Sequence, residues 1–357
     1  MHVDVCHPNE LGAHEVDRWR ALQSSDPAWA NPFLSATFAR TVGECRRDAR
    51  VAVVSDGGRI TGFLPFQRGV GGDGRAIGFG VSDLQAFVHE PDADWCPTDL
   101  LRGCGLHIWE YDHLVVGADD QVHRRVAPAS VMDVRAGYEA YLAEGGRKDR
   151  RSVRSALQKR RKLAREVGDV ELELTSPTSS DLALLMGWKS AQYRRTGRRD
   201  RFARPWIREL VERLAVTAEP DCSGLLSVLR AGGTTVAAHF GVRAGANLSM
   251  WFPAYDLMVG RYSPGLLLFL GVAEAGAGDG IGLLDLGKGD EDYKQSLRSW
   301  TYPVAEGVLH RRSPLAAVHL ARRAPSRVAH DVVLRSPSLR RSARAALSRL
   351  GQVRHRS

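Results

Sequence analysis

Residues 51–66 read VAVVSDGGRITGFLPF, and residues 226–241 read LSVLRAGGTTVAAHFG. Each is an apolar run, a Gly-Gly pair and a second apolar run, the pattern of a hairpin closed by a two-residue turn. At an offset of 175 residues Val53 aligns with Val228, Gly57 with Gly232 and Gly58 with Gly233. In a chain of 357 residues this spacing fits two copies of one α/β domain, each long enough to bury its own core.

The elements around the echo set the expected fold class. NPFLSATFARTVGEC (31–45) reads as a helix opened by Asn31-Pro32. Strands are predicted near 50–56, 59–68, 76–81 and 113–116, and one or two basic helices over 134–168. The second copy reads helix 180–195, helix 205–218, strands 224–230, 234–243 and 247–252, helix 264–276, strand 281–285 and a last strand near 302–309. Three strands, then a helix and a strand, break the strict alternation of a doubly wound sheet and predict a mixed α+β sheet with a late crossover helix. The expected domains are 1–137, 138–310 with a basic leading helix at 147–165, and a tail at 311–357.

Composition is that of a globular protein, with 43% hydrophobic and 25% charged residues. The polar, acidic N-terminus is unlike a signal peptide, and the apolar run at 265–273 is too short for a bilayer span. Five cysteines without a CxxC pair argue against a disulfide framework or a zinc site, so a reduced, cytoplasmic protein without metal is expected. The net charge of +9 is unevenly placed: residues 147–165 carry +9, residues 311–357 carry +11, and the rest carries −11. Anionic partners are therefore expected at two places.

Several residues are candidates for chemistry. In RYSPGLLLFLGV, Ser263 can cap a helix that starts at Pro264; Gly265 lets a ligand approach and Arg261 can fork onto a phosphate. The same residues also suit a plain helix start. His239, among the small residues of a strand, is either a hydrogen-bonded core residue or a neutral general base. GLLDLGKGDEDYKQSL (282–297) puts Asp285 at a strand end. Glycines two and four residues beyond it exclude a calcium loop, and the run is not a P-loop. It is either a solvated acidic turn or the charged lip of a site. In the second case Asp285 orients or deprotonates an attacking amine, Tyr293 protonates a leaving group and Lys294 steadies an oxyanion or phosphate. Ten cations against Asp149 over 147–165 favour a bound anion, with Arg151, Arg154 and Arg161 as its contacts. The tail reads as an amphipathic arm for an anionic membrane surface or RNA, or as a loosely docked extension. No nucleic-acid module accompanies it, and no DNA partner is expected.

The order of elements, with SVRSALQKRRKLARE (152–166), VAAHFGVRAG (236–245), WFPAYD (251–256), RYSPGLLLF (261–269) and LDLGKGDEDYK (284–294), resembles the GNAT acyltransferase superfamily. More narrowly, it resembles the double-GNAT branch that holds the CelD-like (BioF-like) acetyltransferases and the Fem-type aminoacyl-tRNA-dependent transferases. The likeness spans roughly residues 20–310 and implies two tandem GNAT-like domains side by side. It implies acetyl-CoA or another acyl-CoA as co-substrate, no tightly bound cofactor, and an amine acceptor, with a sugar or polysaccharide precursor as the class the family's usual context suggests. The amine would attack the thioester directly, with Asp285 or His239 as base and Tyr262 or Tyr293 as acid, and with Trp251 and Tyr255 at the substrate. The usual pyrophosphate signature, Arg/Gln-x-x-Gly-x-Gly/Ala, is replaced by RYSPG. That departure supports a rival, an aminoacyl-tRNA-dependent amide-bond former with tRNA on the basic segments. A third reading is a non-catalytic scaffold.

Overall fold

The computed structural model describes residues 1–116, 125–144, 151–176 and 178–321. Its strands, in chain order, are β1 His2–Cys6, β2 Ala49–Asp56, β3 Arg59–Arg68, β4 Asp73–Ala76, β5 Val88–His89, β6 Ile108–Val115 and β7 Arg125–Asp133. There follow β8 Val170–Glu173, β9 Ala218–Glu219, β10 Cys222–Ala231, β11 Thr234–Ala244, β12 Asn247–Tyr255, β13 Leu283–Lys288 and β14 Trp300–His310. The helices are α1 Ala13–Ser25, α2 Ala36–Cys45, α3 Pro97–Gly103, α4 Tyr138–Ala143, α5 Arg151–Glu166, α6 Ser179–Arg195, α7 Pro205–Ala215, α8 Pro264–Gly278 and α9 Asp292–Leu297.

The hairpin echo is structural. β2–β3 turns at Gly57-Gly58 (φ +54° and +81°) and β10–β11 at Gly232-Gly233 (φ +55° and +76°). Positive φ at both central residues is the hairpin turn that matches strand twist, and glycine adopts it without steric cost. Each hairpin also carries a register shift at the same place, between Val54 and Ser55 and between Leu229 and Arg230. The offset of 175 persists further: β6 and β13 begin at 108 and 283, β7 and β14 at 125 and 300.

The strands form one mixed sheet in the order β1-β2-β3-β4-β6-β14-β7-β13-β12-β11-β10-β8, with β5 beside β3 and β9 beside β10. Each lobe repeats the same pairings. β4 runs parallel to β6 in the first lobe, and β12 parallel to β13 in the second. The last strands are exchanged: β14 completes the first lobe against β6, β7 completes the second against β13, and the two pair antiparallel. The lobes lie side by side as expected, but neither sheet ends at residue 137.

Three cores follow from this layering. One, under α1, α2, α6 and α7, includes Trp19, Phe33, Phe38, Leu210, Phe240 and Trp251, so it runs through both lobes. A second lies between the C-terminal lobe and α4, α5 and α8, and a third under α3. Trp251 ties the lobes: its indole N–H donates to the Val81 carbonyl at 2.8 Å and its ring lies 5.0 Å from that of Phe33.

Several boundaries differ from the sequence reading. The helix expected over 31–45 is a 3-10 turn, Pro32–Leu34, followed by α2, because Ser35 caps the Phe38 amide. The strand expected at 76–81 ends at Ala76; of the one or two helices expected over 134–168, two are present, α4 and α5. Arg147, within the expected leading helix, and the tail beyond residue 321 lie outside the described residues.

The two turns offer a paired test. Gly57→Ala places a Cβ in open space at positive φ and is expected to cost about 1 kcal/mol. Gly232→Ala adds a clash, since its Cβ would lie 2.5 Å from the Val167 carbonyl oxygen, and is expected to cost at least roughly twice as much. Urea unfolding of both variants checks this; equal losses would contradict it.

Candidate functional site at the divergence of β12 and β13

β12 and β13 pair at only three positions, Asn247 with Leu283, Leu248 with Leu284 and Ser249 with Asp285, and then diverge. Beyond Ser249 the outer edge of β12 has no strand partner among the described residues, so its amides face a gap. The first lobe has the same three-residue pairing of β4 and β6, but there the chain returns to fill the gap. Gln85 bridges to Leu114, and its side chain accepts from the Asp112 and His113 amides and donates to Asp112 Oδ1 at 2.6 Å.

Asp285 sits at the apex, the last residue of β13 that pairs with β12. Its Oδ2 accepts from the Tyr302 hydroxyl at 2.5 Å and from Asn31 Nδ2 at 3.3 Å, and its Oδ1 from the Gly287 amide at 2.8 Å. Burial pushes its carboxyl up to about 6, against the Tyr302 and Gly287 hydrogen bonds, which favour the charged form. Asp83 raises it further and Lys294 lowers it. The Tyr302 phenol is in turn driven well above its ordinary value by burial and by Asp285. A cavity of about 340 Å³ opens on this carboxylate, lined by Pro27, Asn31, Val131, Trp300 and Tyr302 among others. It draws on both lobes.

Across the gap stands Lys189 of α6, which donates to the Pro253 carbonyl of β12 at 2.8 Å. Burial, then Arg201 and Arg198, push its amine down to about 8, with Asp83 opposing. Tyr293 of α9 is partly exposed and stacks on Phe269 of α8 with ring centroids 5.6 Å apart. Burial, Glu291 and Asp83 raise its phenol, which keeps it protonated and able to donate.

The start of α8 is built differently from the expectation. Ser263 adopts φ +57°, the one non-glycine residue at positive φ among those described, and its side chain caps no amide. Its hydroxyl accepts from Lys159 Nζ of α5 at 2.8 Å instead, which puts a cation at the positive end of the helix. Pro264 is the first helical residue. A Cβ on Gly265 would lie 3.3 Å from the Tyr255 ring, so this glycine makes room for Tyr255.

Other candidates are placed elsewhere. Tyr262 is buried and its hydroxyl bonds to Glu166, with the Arg261 guanidinium beside it, so it belongs to the α5 contact and not to the gap. Lys294 is buried and spends its protons on the Gly287 and Lys288 carbonyls, 3.1 and 2.8 Å away, and on Glu291 at 3.4 Å. It clamps the bulge within β13 and has no donor left for an oxyanion. His239 is fully buried, and neither ring nitrogen has a partner among the described residues. Burial, then Lys189, push it down to about 3, so it is neutral and a poor proton acceptor near pH 7. Trp251 is a core anchor. Arg151, Arg154 and Arg161 are exposed on α5. Among the described residues no group of three or more His, Cys, Asp or Glu is placed to hold a metal, and no helix is long and apolar enough to cross a membrane.

The sequence reading missed Lys189, Asp83, Asn31 and Tyr302. Only Tyr302 carried a signal, as an aromatic residue in the last strand of the second copy.

Residues 151–295 match the family described as an acetyltransferase (GNAT) domain. The crystal structure of FemX superposes with a TM-score of 0.57 at 11% identity, covering 88% of this chain and 99% of that one. The C-terminal domain of a protein described as a lysylphosphatidylglycerol synthetase from Agrobacterium fabrum gives 0.52 at 15% identity, covering 87% and 95%. A conserved protein of unknown function from Bacteroides thetaiotaomicron gives 0.52 at 12%, covering 83% and 98%. At these identities the likeness is one of fold. No curated protein sequence matches the chain.

Since the Tyr302 hydroxyl favours the charged carboxylate, Tyr302→Phe is expected to move the Asp285 pKa upward from about 6. A carbon-13 carboxyl titration reads this directly. An unchanged or lowered value would contradict the assignment.

Proposed function

We propose that this chain, whose residues 151–295 match an acetyltransferase (GNAT) domain, is an N-acyltransferase that passes an acyl group from a thioester donor, acyl-CoA, directly to an amine. The observation that carries the reading is Asp285: a carboxylate with a pKa near 6, at the apex of a gap between two strands, facing a cavity.

The donor thioester lies along the open edge of β12, whose unpaired amides receive the developing oxyanion. Its diphosphate lies toward the start of α8, where the helix dipole and Lys159 favour negative charge. The acceptor enters through the 340 Å³ cavity as the neutral amine. Its nitrogen attacks the thioester carbon, and as the C–N bond forms and the C–S bond breaks the nitrogen gives a proton to Asp285. Tyr293 gives its proton to the departing thiolate. No covalent enzyme intermediate is required.

A second reading, aminoacyl-tRNA as donor, is favoured by one observation: Arg151, Arg154, Arg160, Arg161, Lys162 and Arg165 are all exposed on α5, which packs beside α8. The two are separated by titration. Under the first reading acetyl-CoA raises Tm and tRNA does not; under the second tRNA binds with a steep salt dependence and acetyl-CoA gives no shift.

Asp285→Asn is expected to lower kcat by about 10²–10⁴-fold. In the wild type kcat/KM is expected to rise with pH through about 6 and level off above it, because the base must be ionised in the free enzyme. Acyl transfer to a panel of amino sugars and amines, followed by thiol release, measures both. A variant with wild-type turnover, or a rate indifferent to pH between 5 and 7, would sink the assignment.

A further inference from the structure

The cavity on Asp285 is built mainly from apolar surface. Leu84, Val115, Val131 and Leu283 form its walls, and Ala28 and Trp300 stand exposed at its lip. At about 340 Å³ it lies at the small end of ligand pockets. Among the described residues that line it there is no Lys, Arg or His.

Its polar side chains are already committed inside the protein. Asn31 Nδ2 donates to Ser249 Oγ and to Asp285 Oδ2, both at 3.3 Å, and Asn31 Oδ1 accepts from the Phe33 amide at 3.0 Å. Asn247 donates to the Ala30 carbonyl, Tyr302 to Asp285, and the Trp300 indole to Asp133 Oδ2 at 3.4 Å. What remains is on Asp285 itself. A carboxylate offers about four lone-pair positions, and Tyr302, Asn31 and the Gly287 amide take three of them. The open position accepts one N–H from an amine.

The lining decides what can carry that amine. A phosphate or carboxylate would meet no cation there, and most hydroxyls of a sugar would give up water without a side-chain partner to replace it. An apolar body loses no hydrogen bond and gains by leaving water. Trp300 is 40% exposed, and its ring lies 6.2 Å from that of Tyr302 with the planes tilted by 54°. An apolar group at the mouth therefore covers two aromatic rings.

We propose that the acceptor is a primary amine on a compact apolar body, a short alkyl chain or an aromatic ring, held by the walls of this cavity with its nitrogen on the open position of Asp285. This rests on the acyl-transfer reading and gives its acceptor a chemical class, different from the sugar that the resemblance suggests. Trp300 is the residue that sets the preference for an apolar body.

The test is calorimetric titration of the full chain with n-propylamine, n-butylamine, n-pentylamine, n-hexylamine and glucosamine, followed by acyl transfer from acetyl-CoA to the same amines. The dissociation constant is expected to fall about fourfold for each added methylene until the cavity is full. Basicity is nearly constant along the alkyl series, so the ratio reads contact with the walls. Glucosamine is expected to bind roughly tenfold or more weakly than hexylamine. Trp300→Ala is expected to flatten the last steps of the series, and Trp300→Phe to keep most of them. Should Trp300→Ala unfold, Asp285→Asn locates the nitrogen instead, weakening every alkylamine alike by roughly tenfold. A wild-type series without chain-length dependence overturns the proposal. So does a series unchanged in Trp300→Ala or in Asp285→Asn, which would place the amines elsewhere. Transfer to glucosamine with kcat/KM equal to or above that of hexylamine also overturns it, and leaves the acyl-transfer reading standing. If the alkylamines bind as expected and none is acylated, the apolar amine site stands and the acyl-transfer reading falls alone.

Discussion

Everything at the site depends on the exchange of the last strands. β14 enters the first lobe between β6 and β7, and β7 leaves that lobe to pair with β13. The hydrogen-bonded ladder therefore runs unbroken through both copies, and the lobes are fixed relative to each other by backbone bonds as well as by side-chain packing. Tyr302 reaches Asp285 because β14 lies one strand away from β13, across β7. Asn31 reaches it from the first lobe, and Val81 holds Trp251 from the same side. A carboxylate buried among partners from three parts of the chain has little freedom to move, which is what a base needs.

One fold has been put to two uses. Both copies part their parallel strands after three residues, yet only the second leaves the parting free of strand. In the first, residues 77–87 return, Gln85 bonds to the β6 backbone, and the same segment carries Asp83 to the neighbouring lobe, beside Gly287. Glu110 occupies the place in the first copy that Asp285 has in the second, at the same offset of 175, and lies 3.5 Å from Arg75. The first copy thus acts as a support whose own filling segment helps build the second site.

The hairpins were legible because a Gly-Gly pair between apolar runs has one conformational meaning, and both pairs adopt it. Asp285 was legible because an acid at the end of an apolar strand must face something other than core. Tyr262 and Trp251 misled for a shared reason. Their aromatic character was plain, but the side of the sheet each faces depends on contacts distant in sequence, Tyr262 with Glu166 at a separation of 96 residues and Trp251 with Val81 at 170. Lys294 is turned inward by local carbonyls, those of Gly287 and Lys288. Lys189 was hidden differently: on a helix it reads as solvated, and only packing against β12 buries it.

The central claim is that the free edge of β12 takes up the donor. Amide hydrogen exchange followed by mass spectrometry, with and without acetyl-CoA, addresses it peptide by peptide. The account predicts slower exchange over residues 250–255 and 286–288 when the donor is present, with β4 and β6 unchanged. Protection confined to the first lobe, or none at residues 250–255 under saturating donor, would contradict it.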